Sequence, residues 1–449
     1  MKRNRLLAFG LMVSIAALTA CGGSNSEDSA SMTESIAPTI ELEDFFKNPE
    51  RTSYQISPDG SHYSYLAPYE NRRNIFVENI ETGETKRITS QTDRDIAGYF
   101  WANNEQLIFM RDDGGDEFWY LVATDVSSGE EKVLTKADSV RTQIIDDLED
   151  IPNEMIIGLN KRNPQVFDPY RLNLETGEMT MVAENPGNIT GWMTDHDGKL
   201  RIAFVTDGVN QSIMHRATEE DDWANVITTN FKQSVSPRFF TFDNQNIYAT
   251  SNVGRDKEAA IILDLSNGEE IEVLYENETN DVSGLMYSRK DKKIIGASYY
   301  TDKAGRHYFD EASKARYDRL TKELEGYEVA ITGYTKAEDK FMVRTYSDRS
   351  LGDYYLYDDS TDELKHLANV SPWINEDDMA SMKPISYKSR DGLTIHGYLT
   401  LPKGMENAKN LPVVVNVHGG PWARDRWGFN PEVQFLANRG YAVLQMNFR

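Results

Sequence analysis

Residues 54–66 read YQISPDGSHYSYL: a short alternating strand, a polar turn at Asp59 and Gly60, and a second alternating strand. Alternation of period two marks half-buried strands, and an Asp-Gly pair supplies the turn between them. The same unit returns at 99–110 (YFWANNEQLIFM), 146–159 (DDLEDIPNEMIIGL), 192–205 (WMTDHDGKLRIAFV), 239–251 (FFTFDNQNIYATS), 285–298 (LMYSRKDKKIIGAS) and 333–346 (GYTKAEDKFMVRTY). With Gly60, Asn104, Asn153, Gly198, Asn244, Asp291 and Asp339 as turn markers, the steps are 44, 49, 45, 46, 47 and 48 residues. A unit of this size buries its faces only against copies of itself, and seven such units predict a seven-bladed all-β propeller.

A second marker repeats with the first. Alternating residues flank an acidic turn in NIFVENIETGETKRIT, YLVATDVSSGEEKVLT and YRLNLETGEMTMVAE, whose Gly83, Gly129 and Gly177 lie 46 and 48 residues apart; Gly268 follows 91 residues later, two steps on. The skipped unit is the degenerate MHRATEEDDWANVITT. In the sixth unit, residues 311–325 read as a helix with Ala315, Leu320 and Leu324 as its apolar positions. The repeated Asp, Asn and Gly residues are turn chemistry, not ligands. The pairs Glu130-Glu131, Glu219-Glu220 and Glu269-Glu270 could receive a peptide ammonium, but they fall in or near outer turns and read as solvated.

Past Pro372 the period stops. Residues 383–389 and 393–401 form a hairpin about Arg390-Asp391-Gly392, and the apolar run 412–417 suits a strand buried on both faces. Asn430 and Pro431 open a helix through Arg439, Gly440 ends it, and 441–448 is the next strand. Between the apolar run and the helix stands His418-Gly419-Gly420-Pro421. A strand emptying into His-Gly-Gly is how an α/β-hydrolase builds one wall of its oxyanion hole, since only glycine lets backbone N–H groups close on a developing alkoxide. No Gly-x-Ser-x-Gly nucleophile elbow occurs in the 449 residues. The expectation is therefore the truncated start of a hydrolase domain, with a Ser/Asp/His triad after Arg449. Arg424 and Asp425 read as a local ion pair holding the loop.

Lys2, Arg3 and Arg5 precede an apolar stretch at 6–17 that is short for a membrane span, and Leu18-Thr19-Ala20-Cys21 closes it. This resembles a bacterial lipoprotein signal, which implies cleavage before Cys21, acylation of its sulfur and a lipid membrane as partner. Gly22 after the cysteine favours the outer membrane, facing the periplasm; an ordinary secretory signal is the alternative. Cys21 is the sole cysteine, so the mature chain forms no internal disulfide. The domain plan is a signal peptide at 1–20, a disordered tether at 21–42, the propeller at 43–372 and the hydrolase fragment at 373–449.

The formal net charge of −24 speaks against a nucleic-acid partner, which needs a basic footprint. The seven histidines are scattered, with no zinc or phosphate-loop motif, and residues 111–117 lack the spacing of a calcium loop. No metal or cofactor is expected.

Three blocks carry a family resemblance: SDRSLGDYYLYD at 347–358, SRDGLTIHGYLTLP at 389–402, and HGGPWARDRWGFNPEVQFLANRGYAVLQMNFR from His418 to the end. With a propeller before them, the chain resembles the prolyl oligopeptidase family of serine peptidases, in the branch of acylaminoacyl-peptidases and dipeptidyl-peptidase-like lipoproteins. The resemblance implies hydrolysis of short peptides through an acyl-enzyme, with the propeller gating access. It places His418 where several relatives carry a tyrosine that donates to the oxyanion, so the second donor is either this histidine or a backbone N–H. Preference for free amino termini, blocked termini or proline stays open. An esterase of the same fold, or a non-catalytic propeller scaffold, are the competing readings.

Overall fold

The computed structural model describes residues 36–420 and 422–448, which belong to one compact unit, Ile36–Arg449. The expected signal peptide, Cys21 and most of the expected tether lie outside the described residues. Among the described residues, no helix is long and apolar enough to cross a membrane.

The unit is nearly all β. Seven antiparallel meanders follow one another at residues 52–87, 99–133, 142–181, 189–229, 235–275, 282–308 and 328–369. Each has four strands except the sixth, which has three. The expected turns form: Gly60, Asn153, Gly198 and Asn244 all have φ between 59° and 70°, as do Gly83, Gly129, Gly177 and Gly268 between 72° and 80°. These are left-handed positions that Gly and Asn occupy at least cost.

Alternation along the strands then builds cores between neighbouring sheets. Leu107 and Phe109 of the second sheet pack with Leu66 and Ile75 of the first, whereas Ile108 between them packs with Met155 and Ile157 of the third. Ile156 meets Leu200 of the fourth, Ile202 meets Phe240 and Ile247 of the fifth, and Ala260 meets Val282 and Ala297 of the sixth. The seventh sheet returns to the first through Met342, Tyr354 and Leu356 against Tyr54, Tyr63 and Tyr65. Each fully buried side chain of this size contributes about 1.5–3 kcal/mol. First strands touch first strands of adjacent sheets, so they lie innermost, while the short fourth strands at Thr85–Arg87 and Glu131–Val133 are exposed.

In the sixth sheet a helix, Glu311–Glu323, follows the third strand where the other sheets have a fourth. Asp310 caps it by accepting from Ser313 N, and Leu320 and Leu324 pack on Val329 and Phe341 of the seventh sheet. Ala315, expected on its apolar face, is exposed, and Tyr317 takes the packing role instead.

Because a meander reverses at every turn, the turns joining first to second strands collect at one end of the sheets, and those joining second to third strands at the other. The chain after Pro372 meets the latter end. Asp348, in the 347–352 turn of the seventh sheet, accepts from Met382 N at 2.8 Å, and Gln434 Nε2 donates to the Asp348 carbonyl at 2.8 Å. Gly352 in that turn is obligatory, since a Cβ would lie 1.8 Å from the Thr345 carbonyl oxygen.

The last sheet orders its strands Met382–Lys388, Thr394–Thr400, Ala442–Met446, Val413–Asn416, the final pair being parallel. The helix Pro431–Asn438 is capped by Asn430 and lies between the two parallel strands in sequence. One expectation is corrected: among the described residues Val413–Asn416 is not buried on both faces, because nothing packs over the face that carries Val413, Val415 and Val417, which are 58, 50 and 65 % exposed. On the helix, Phe435 packs against Phe45 of a short N-terminal helix, Leu42–Phe46. Asn438 Nδ2 donates to the Pro38 carbonyl and Asn438 Oδ1 accepts from Ile40 N, so the last residues of the expected tether lie along this helix.

Candidate oxyanion site

The strand Val413–Asn416 leads through Val417 into His418, Gly419 and Gly420. Gly420 has φ +136°, and a Cβ there would come within 2.8 Å of Trp422 N and 3.2 Å of Ala423 N, so the chain turns back on two amide groups where only glycine fits. Gly419 faces open space, with no atom within 4 Å of a built Cβ.

His418 is held by a single strong partner. Its Nδ1 lies 3.0 Å from Asp425 Oδ2, and both side chains are nearly buried, at 14 and 15 % exposure. The other carboxylate oxygen accepts from Gln445 Nε2 at 2.8 Å, and Asn447 Oδ1 accepts from Asp425 N at 2.7 Å. Gln445 sits on the strand Ala442–Met446 and Asn447 just beyond it, so the parallel strand pair fixes the carboxylate. A carboxylate only accepts, so the shared proton resides on Nδ1. In the neutral ring Nε2 is then an acceptor, with no proton to offer an oxyanion.

The expected Arg424–Asp425 ion pair does not form. Arg424 turns the other way and donates to the carbonyls of Tyr300 and Thr301 at 3.3 and 2.9 Å, its guanidinium 4.9 Å from the Tyr300 ring centre. Consecutive residues in an extended loop point to opposite sides, which separates the two charges. Lys303 stands 3.6 Å over the Trp427 ring and Tyr398 donates from its hydroxyl to the Asp302 carbonyl at 2.7 Å. Burial pushes the Tyr300 phenol well up. The hairpin at 300–304 of the sixth sheet therefore buttresses the loop that follows Gly420. Nothing in the sequence marked Tyr300, Gln445 or Asn447; only the long C-terminal block in which Gln445 and Asn447 lie drew attention.

The other sequence candidates lie elsewhere. Glu131, Glu219 and Glu270 face Arg111, Arg171 and Arg255 at 3.8, 3.4 and 2.8 Å. Asp112 and Asp113 are engaged by Arg94 and Lys136. Among the described residues no three His, Cys, Asp or Glu side chains converge as a metal site.

No protein-family model matches the chain. It is 31 % identical, over a 460-residue alignment, to dipeptidyl aminopeptidase BIII of Pseudoxanthomonas mexicana, covering 100 % of this chain and 66 % of that protein. Dipeptidyl peptidase family member 6 of Caenorhabditis elegans is 24 % identical, covering 91 % of this chain and 60 % of the relative. The chain thus spans just under two thirds of the length of these relatives. Among solved structures, a prolyl endopeptidase superposes with a TM-score of 0.67 at 14 % identity, over 91 % of this chain and 62 % of the other. An acylaminoacyl peptidase of Pyrococcus horikoshii does so with a TM-score of 0.60 at 15 % identity, over 91 % and 67 %. These two likenesses are of fold, and the small antiparallel sheets match their propellers. Related in sequence to dipeptidyl aminopeptidases and in fold to prolyl endopeptidase and acylaminoacyl peptidase, the chain belongs to the prolyl oligopeptidase family of peptidases.

Proposed function

We propose that these residues are the access-controlling and oxyanion-side portion of a serine peptidase that cleaves short peptides through an acyl-enzyme. In this reading the seven sheets are the blades of one closed propeller, and residues 373–449 open an α/β-hydrolase domain whose nucleophile elbow is absent from these 449 residues. The observation that carries the reading is whole-chain relatedness to a dipeptidyl aminopeptidase, joined to a glycine loop whose geometry suits an oxyanion. Gly419 and Gly420 would present backbone N–H groups to the tetrahedral intermediate, each such donor being worth about 3 kcal/mol in the transition state. His418, with its proton committed to Asp425, would fix the loop, leaving the second donor to the backbone. The lipid anchor at Cys21, and an envelope location facing the periplasm, remain part of the proposal on the strength of the Leu18–Cys21 sequence.

The test is turnover of aminoacyl-nitroanilides, dipeptidyl-nitroanilides and simple acyl esters by the full-length protein. Peptidyl amide hydrolysis that is abolished by a fluorophosphonate is the expected result. Hydrolysis of esters alone would replace the peptidase reading with an esterase of the same fold, and no hydrolysis of either class would leave the scaffold reading.

A further inference from the structure

The first-to-second turn of the third sheet, residues 147–153, is the longest of its kind: seven residues, against four to six in the other sheets. One side of it is seated on the neighbouring fourth sheet. Leu148 is 5 % exposed and packs with Ile145, Ile151 and Leu200, and Gly198 makes the room, since a Cβ there would lie 2.5 Å from Ile151 Cδ1 and 3.2 Å from Leu148 Cδ2. The other side carries two acids away from that seat. Glu149 pairs with Arg289 of the sixth sheet, and Asp150 with Lys336 of the seventh at 2.8 Å.

In a ring of seven, the third sheet stands three places from the sixth and three from the seventh. Side chains of these sheets meet only by crossing the central opening. Beneath the turn lies a cavity of about 960 Å³ whose walls include Trp192, Arg238, Phe239, Phe242 and Tyr287, from the inner strands and first turns of the fourth, fifth and sixth sheets. The opposite end of the sheets is the one that meets Arg424 and the oxyanion loop.

We propose that residues 147–153 form an ionic strap closing the channel mouth remote from Gly419 and Gly420, so that molecules pass this mouth only when the Glu149–Arg289 and Asp150–Lys336 pairs part. The inference rests on the closed-ring reading above and does not require peptidase activity. All four charged side chains keep contact with water, between 38 and 60 % exposed. An exposed pair of this kind shifts an equilibrium by no more than about fivefold. The strap therefore works as a gate that opens often, and salt weakens it further. Its apolar seat at Leu148 and Ile151 acts as the hinge side, because buried contacts persist when the charges separate.

The test uses a single reporter thiol, Arg238→Cys on the cavity wall, in the full-length protein with Cys21 and any other cysteine replaced by Ser, so that the hydrolase domain covers the opposite end of the channel. A small methanethiosulfonate and a bulky polyethylene-glycol maleimide measure access. The unmutated strap is expected to admit the small reagent freely and the bulky one slowly. Glu149→Gln with Asp150→Asn should raise the bulky rate about tenfold, 0.5 M salt should do the same without mutation, and the swapped pair Glu149→Arg with Arg289→Glu should restore slow labelling. A bulky rate that discriminates by size but ignores all three changes would overturn the strap. Equal rates for both reagents in the unmutated chain would instead overturn the closed ring. Because the salt series needs no substitution at the strap, a variant that fails to fold does not remove the test.

Discussion

Replacing Asp425 by Asn tests the seat of His418 at the level of one proton. The native carboxylate accepts from His418 Nδ1 at 3.0 Å and from Gln445 Nε2 at 2.8 Å. An amide of the same shape offers one oxygen and one NH2. With its oxygen kept by Gln445, its NH2 faces the imidazole, so Nδ1 must become the acceptor and the ring proton must move to Nε2. Hydrogen bonds to a charged group contribute about 1.5–3 kcal/mol and neutral ones about 1. Exchanging two of the former for two of the latter costs the loop about 2 kcal/mol, with little screening because both side chains are 14–15 % exposed. The assay is long-range nitrogen–proton correlation NMR of the imidazoles at a pH where histidine is ordinarily neutral, with the His418 signals assigned by a His418→Gln control. The expected spectra show His418 protonated on Nδ1 in the native chain and on Nε2 in Asp425→Asn. A native ring protonated on Nε2, or a variant that keeps the Nδ1 proton, would refute the argument that Asp425 sets the tautomer, and with it the assignment of the second oxyanion donor to the backbone.

Gly352→Ala should cost more than about 3 kcal/mol, since both its φ of 81° and the 1.8 Å approach to the Thr345 carbonyl oxygen oppose a methyl group; Gly254→Ala, at φ 75° in open space, should cost only about 1 kcal/mol in the same denaturant titration. Arg424→Met removes two hydrogen bonds to the sixth-sheet hairpin and should make the segment after Pro372 cleave faster in limited proteolysis, whereas Arg426→Met, whose guanidinium rests over the Tyr300 ring at 5.4 Å, should change the rate little. Burial first, and then Arg201, lower the His215 pKa to about 4. The unfolded chain binds that proton from about pH 6.5 downward, so stability falls between pH 6.5 and about 4. Discounted for the partial exposure of the ring, the loss is about 1–2 kcal/mol; His215→Gln should flatten that part of the pH profile, and an unchanged slope in urea titrations would refute the assignment. The 449-residue chain, which contains no Gly-x-Ser-x-Gly, should not be labelled by a fluorophosphonate above background.

The repeat was legible because its cause is local. A left-handed turn wants Gly or Asn wherever it occurs, and a half-buried strand wants alternation, so positions such as Gly60, Gly83 and Gly198 announce themselves without any knowledge of the fold. The same holds for Asn430 and Pro431 at the start of the last helix and for Gly440 at its end. The apolar run before His418 shows the converse. Three valines in a row state that a strand is apolar, but burial of its faces depends on what packs over the sheet, and among the described residues one face is left uncovered.

What the sequence by itself determined is the period, the strand content, the change of class after Pro372 and the glycine loop, all of which follow from residues within a few positions of one another. Partner choice was settled only by tertiary structure. With 48 basic and 72 acidic side chains, almost any charge has an opposite within plausible reach along the chain, so sequence offers no ground for sending Arg424 to Tyr300 and Thr301, or Asp425 to His418. Likewise nothing near Glu149 and Asp150 names Arg289 and Lys336, which lie some 140 and 186 residues further on. In the closed-ring reading, packing of each sheet on the next carries the sixth and seventh around to face the third, and electrostatic pairing depends on that distance in space, not on separation along the chain.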